Sequence, residues 1–159
     1  RMYLLFVVFL YAAIFLGEVR DFYYRIPHWD VILHAFSGIM LGALGFSIVS
    51  LLNKSEKVAV TLSPQFVALF AFSFALSLGV IWEIYEFAAD GVLGLNMQKF
   101  ALEDKTSLVG RAALVDTMKD LIVDALAALA VSVFGFLSMK AEKSWIARVA
   151  LKRKPEAVS

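Results

Sequence analysis

Cysteine is absent from the 159 residues, which excludes disulfides, thiolate metal sites and a cysteine nucleophile but does not identify the compartment. Histidine occurs only twice, which makes a Ser/His/Asp arrangement a weak option, and there is neither a glycine-rich phosphate loop nor an HExxH pair. Charge is sparse as well: charged residues make up 18% of the chain and the net charge is +1, so bulk charge singles out no anionic partner. Without a basic and aromatic array, nucleic acid is not an expected ligand. What the chain has in excess is oil. Hydrophobic residues reach 61%, against about 45–50% in soluble domains, and the mean hydropathy is +0.79. The expected class is an all-α, polytopic transmembrane helical bundle.

Four apolar runs carry that expectation, at about residues 2–16, 31–52, 66–89 and 112–138, followed by a basic tail over 140–159. The first run falls short of the ~20 residues that span a bilayer. The chain also opens on Arg1 rather than Met, so this span and further helices are expected to begin upstream. Between the first two runs lie Glu18, Arg20, Asp21, Tyr23, Tyr24, Arg25 and Pro27, with Pro27 suited to the first turn of the next helix. His28, Trp29, Trp82 and Tyr85 fit the membrane interface. In the second run Gly38 and Gly42 form a GxxxG pair continued by Gly45, the small-residue pattern of close helix packing in lipid. Residues 90–111 are too polar to span and long enough for a lid or a short surface helix.

Four spans place Arg1, the 53–63 loop and the tail on one side, with nine Lys and Arg residues against six on the other. The positive-inside bias then predicts a multi-pass cell-membrane protein with both ends of the chain cytoplasmic. The same topology brings Asp30 and His34, then Glu83, Glu86 and Asp90, then Asp116, Asp120 and Asp124 to the non-cytoplasmic face. Seven of the fourteen acidic residues converge there. Glu83, Glu86 and Asp90 share one helical stripe, and Asp116, Asp120 and Asp124 recur every fourth residue on another. Carboxylates at such depth must be protonated, paired or metal-bound.

One histidine among carboxylates is a hard, oxygen-rich donor set that favours Mg²⁺ or Mn²⁺, with Fe or Zn²⁺ also accommodated. The expected ligands are Asp30, His34, Glu83, Glu86, Asp116 and Asp120. Asp90 and Asp124 are further candidates, and Glu83, Glu86 and Asp120 are the candidate catalytic carboxylates, one of them free as general base. A two-metal centre is compatible with the charge present.

Asp30-x-x-x-His34 followed by Gly38, then Trp82-Glu83-x-x-Glu86, then Asp116-Thr117-x-x-Asp120 with Asp124, resembles the YjdF-like family of small prokaryotic membrane proteins. The order of these elements also has a looser similarity to VanZ-like proteins, whose pattern carries Gln where Glu86 stands and Asn near Asp124. The resemblance covers about residues 17–138 and implies a membrane-embedded site without naming a reaction.

The leading expectation is a metal-dependent hydrolase or transferase acting on a lipid-linked or amphiphilic substrate. A proton- or ion-coupled transporter using the same carboxylates is the first alternative, and a structural partner of another membrane protein the second. Membrane lipid is the expected surrounding, and a homo-oligomer is compatible with the composition.

Overall fold

The computed structural model describes residues 2–53, 62–102 and 104–141. The expected basic tail, beyond its first two residues, and most of the 53–63 loop lie outside the described residues. The order is α1 (Met2–Leu10), a π-helical segment (Tyr11–Val19), the short α2 (Phe22–Arg25), then the long helices α3 (Trp29–Asn53), α4 (Pro64–Leu93) and α5 (Arg111–Lys140). Four helical stretches, Met2–Val19, α3, α4 and α5, are long and apolar enough to cross a membrane. The protein is an all-α, multi-pass helical bundle, and each span runs past the end that hydropathy alone sets. Glu18 is drawn inside the first helical stretch by the π-helical register, in which the Arg20 N–H donates five residues back to Phe15 O at 3.0 Å.

Helix boundaries follow local chemistry. At the start of α4 the Ser63 side chain accepts the Phe66 N–H at 3.3 Å, and Pro64 occupies the first turn, where a missing N–H costs nothing. The helix ends on Gly94 in the left-handed conformation (φ 67°), its N–H bonded to Asp90 O at 3.0 Å. Pro27, in contrast, precedes α3 by a turn instead of opening it. His28 takes a left-handed φ of 63° and its carbonyl accepts the Ile32 N–H, so the exposed His28 is the residue on which α3 begins.

The helices α3, α4 and α5 each pack on the other two, while the first span leans mainly on α3, where Phe9 stacks on Phe36 with centroids 6.2 Å apart. One narrow stripe per helix makes the contact. On α4 it reads Val67, Ala71, Ala75, Gly79, Glu83 and Glu86; on α5 it includes Asp120, Asp124, Ala128 and Gly135. At one end of the bundle these stripes are small or apolar, and the backbones close up. A Cβ on Gly45 would meet the Ala71 backbone, one on Gly42 the Val131 side chain, and one on Gly38 would meet Ala127 and Asp124 O. Phe46, Val49, Val67 and Ala71 fill that core. At the other end the stripes turn acidic. The outward faces carry Ile81, Ile84 and Phe87 on α4 and Leu114, Ile122 and Leu126 on α5, all exposed, as suits a surface solvated by lipid tails.

Candidate metal centre

The N-terminal halves of α3 and α5 and the C-terminal turns of α4 meet at the acidic end. Buried there are His34, Glu83, Glu86, Asp90, Asp120 and Asp124. Relative exposure is 6% for His34, 4% for Glu83 and 2% for Asp120 and Asp124, so water solvates none of them well. In such a place an ionised carboxylate without a partner is costly, and the pattern of partners is therefore informative.

His34 is the hub. Its Nδ1 lies 3.2 Å from Asp124 Oδ2, the two side chains coming from α3 and α5. With the Nδ1–H donating to Asp124, the lone pair of Nε2 points into the cluster, 3.8 Å from Asp30 Oδ1 and 3.9 Å from Glu83 Oε1. Both separations exceed a hydrogen bond. The separation from Glu83 matches donors arranged round one ion, since ligand atoms at about 2.1 Å from a common cation lie roughly 3.0 Å apart when adjacent and about 4.2 Å when opposite. Glu83 Oε1 and Asp120 Oδ1 are buried and have no hydrogen-bond partner. Glu83 Oε2 is held only loosely, 3.5 Å from Gln98 Nε2. His34, Glu83 and Asp120 each offer one donor atom within 4.8 Å of the other two, and Asp30, Asp116 and Asp120 form a second such group. Asp120 belongs to both.

Asp124, a further candidate in the sequence, sits behind the imidazole in the position of the carboxylate that orients a metal-binding histidine. Room for it is made by Gly79, where any Cβ would run into Asp124 Oδ2. Glu86 lies outside both groups, its Oε1 accepting the Trp82 indole N–H at 2.9 Å. Trp82 is thus more than an interfacial aromatic. Asp90, a further candidate ligand in the sequence, is committed to the backbone instead: it is 8% exposed and its carboxylate accepts the backbone N–H groups of Met97 and Gln98 at 2.7 and 3.0 Å. That role is to fasten the following loop.

Among its described residues, the loop over 94–110 is neither extended nor helical. It folds back as a small hairpin, with an isolated antiparallel bridge between Ala101 and Ser107 and with Asn96 bonded to both the N–H and the carbonyl of Ala101. It delivers the residue that periodicity could not reveal, Lys99. The ammonium pairs with Asp30 Oδ2 and, at 3.3 Å, with Asp116 Oδ1, bridging α3 and α5 across the mouth of the cluster. Lys99 holds a left-handed backbone (φ 47°), which costs a residue with a Cβ about 1–2 kcal/mol. Burial pulls the ammonium pKa down, but Asp30 and Asp116 outweigh it and hold it above the ordinary lysine value. Because the folded pKa is the raised one, the contribution to stability is complete below the unfolded lysine pKa and is lost only as pH climbs through the folded value. Across the neutral range Lys99 is a fixed cation.

Asp90→Ala tests the fastening. It leaves two partly buried N–H groups unpaired and is expected to cost about 1–3 kcal/mol. Amide exchange should accelerate at Met97 and Gln98 with the helices still protected; unchanged exchange at those two amides would contradict the role.

Comparison with known proteins agrees with this architecture. The family described as "Predicted membrane protein (DUF2238)" matches residues 1–141, a match in keeping with the YjdF-like resemblance; similarity to VanZ-like proteins is not shown. An uncharacterised protein of Thermotoga maritima is 32% identical over 120 residues, covering 75% of this chain and 52% of its own length, so the chain spans about half of that relative. No solved structure matches. With the whole of its described helical bundle inside the match, the chain belongs to the DUF2238 family of predicted membrane proteins.

Proposed function

We propose that the acidic end of the bundle binds a divalent cation through His34, Glu83 and Asp120, and that the protein uses it to hydrolyse or transfer a phosphoryl-type group on a lipid-linked or amphiphilic substrate. The observation that carries the reading is that two members of the His34, Glu83 and Asp120 group keep buried, unpartnered oxygens, Glu83 Oε1, which lies 3.9 Å from His34 Nε2, and Asp120 Oδ1. Oxygen and imidazole donors of this kind suit Mg²⁺ or Mn²⁺ first and Fe or Zn²⁺ next.

A divalent ion there would polarise a phosphoryl oxygen and lower the pKa of a bound water. In the hydrolytic form the water oxygen bonds to phosphorus, the bond from phosphorus to the lipid oxygen breaks, and the water proton passes through a carboxylate to the leaving oxygen. Glu86 is the carboxylate for that transfer, because it stands beside the group without belonging to it and is held by Trp82. The depth of the site within the apolar helices favours an amphiphile reaching it from the membrane. The balance of Lys and Arg favours the non-cytoplasmic side, with both ends of this chain cytoplasmic.

Ion-coupled transport with the same carboxylates needs a polar path through the bundle. The tight approaches at Gly38, Gly42, Gly45 and Gly135, with Phe46 across from the last, speak for the enzyme reading instead. Metal analysis of the gently purified protein tests the proposal: a stoichiometric divalent ion is expected in the wild type and its loss in Glu83→Ala and Asp120→Ala. A metal-free wild type reconstituted with Mn²⁺ that still binds none would sink it.

A further inference from the structure

The inner group does not remove the charge imbalance of the cluster. Asp30, Glu83, Asp116, Asp120 and Asp124 face one fixed cation, Lys99, so with His34 neutral and Glu86 left aside four negative charges stand in excess. One divalent ion halves that excess, and a second that takes the place of Lys99 reduces it to a single negative charge. We propose that Asp30, Asp116 and Asp120 form a second divalent-cation site beside the inner one, and that Lys99 is the stand-in cation that withdraws to the rim when the ion enters. The inference rests on the reading of the inner group as a cation site and adds to it a second ion and a displaceable lysine.

Four observations converge on it. The donor atoms of Asp30, Asp116 and Asp120 lie within 4.8 Å of one another, a span one ion can bridge. Asp120, 2% exposed, leaves Oδ1 without any hydrogen-bond partner, so the group contains a deeply buried acceptor that Lys99 does not satisfy. As the residue common to both groups, Asp120 has the place of a carboxylate bridging two ions, whose usual separation is about 3.5–4 Å. Lys99 meanwhile shows what already draws a cation there: its ammonium pairs with Asp30 and Asp116 together.

Its surroundings let it leave. The Lys99 side chain is 37% exposed, whereas the carboxylates it binds are 20% exposed, so the ammonium can move outward into solvent while Asp30 and Asp116 stay. Its left-handed backbone is held against a steric cost, and release of the side chain removes the reason to hold it. At the rim the freed ammonium would meet an entering phosphate-bearing headgroup first, which defines the substrate class further as anionic.

Mn²⁺ titration of the full chain in detergent, followed by calorimetry and EPR, tests this. The wild type is expected to bind one ion tightly and a second more weakly. Lys99→Met should tighten the second by about tenfold or more, the factor a charge-assisted hydrogen bond is worth, and show the spectrum of a dipole-coupled Mn²⁺ pair. Asp116→Asn should remove the second ion and keep the first. A measurement independent of any variant is acylation of wild-type lysines read by mass spectrometry, in which Lys99 should react faster once Mn²⁺ exceeds one per chain. A gain in either second-ion affinity or Lys99 reactivity supports the second site. One ion per chain in wild type and Lys99→Met alike, with Lys99 equally reactive throughout, overturns the second site and leaves the inner one standing; no bound ion in any form overturns the inner site itself.

Discussion

Asp120→Asn is expected to make the metal-free protein more stable and the metal-loaded protein less stable than the wild type. The side chain is almost fully buried, one oxygen has no partner, and Asp30, Asp116 and the His34–Asp124 pair surround it. Replacing a buried, unsatisfied carboxylate by an amide of the same shape removes a desolvated charge and is worth about 1–3 kcal/mol in chelator. With free metal at a thousand times its Kd, the wild type gains about 4.1 kcal/mol from binding, more than that difference, and the variant loses this gain. The two thermal-melting curves should therefore exchange order when EDTA is replaced by Mn²⁺. Structural carboxylates do not behave this way: a variant less stable in both conditions would show that Asp120 is held by the fold and not kept for a ligand.

The second large effect is expected from a residue with no functional group at all. Gly79→Val puts side-chain atoms where Asp124 Oδ2 now lies, and that oxygen is the partner of His34 Nδ1. Pushing Asp124 aside frees the imidazole to turn and removes the bond that fixes its tautomer. Loss of such an orienting carboxylate typically weakens metal binding by about 10–100-fold. Gly91→Ala is the control, because nothing lies within 4 Å of a Cβ built there. That change should leave metal affinity alone and add up to about 1 kcal/mol of helix stability. Equal loss of affinity in both variants would mean that glycine matters on this helix for backbone reasons and not for Asp124.

Gly79 also marks how far the sequence can be read. The four spans are legible because lipid removes the usual ambiguity: a helix is the one open-ended way to carry a long apolar run across a bilayer. Depth is legible for the same reason, since residues at the ends of α3, α4 and α5 that the topology brings together must share a level. Which of those residues face one another depends on rotamers and on helix rotation, and spacing specifies neither. Glu83 and Glu86 lie on one stripe, yet Glu83 enters the three-donor group and Glu86 turns to Trp82. Asp124, the deepest of its ladder, reaches across to α3 and anchors His34. Lys99 is invisible to spacing because the loop that carries it has no periodicity, and that loop is fixed by the Met97 and Gln98 N–H groups donating to the Asp90 carboxylate. A polar loop returning directly from an acidic helix end is the one signal that could have raised it.

The central claim is that His34 and the buried carboxylates hold a metal ion together, and it is tested most directly at the imidazole. The chain contains two histidines, His28 and His34, so pulsed EPR of the Mn²⁺-loaded protein labelled with ¹⁵N-histidine has few assignments to resolve. A ¹⁵N coupling to bound Mn²⁺ that survives His28→Ala and vanishes in His34→Ala is the predicted result. Bound Mn²⁺ without any nitrogen coupling, or with a coupling that His34→Ala leaves in place, would contradict it.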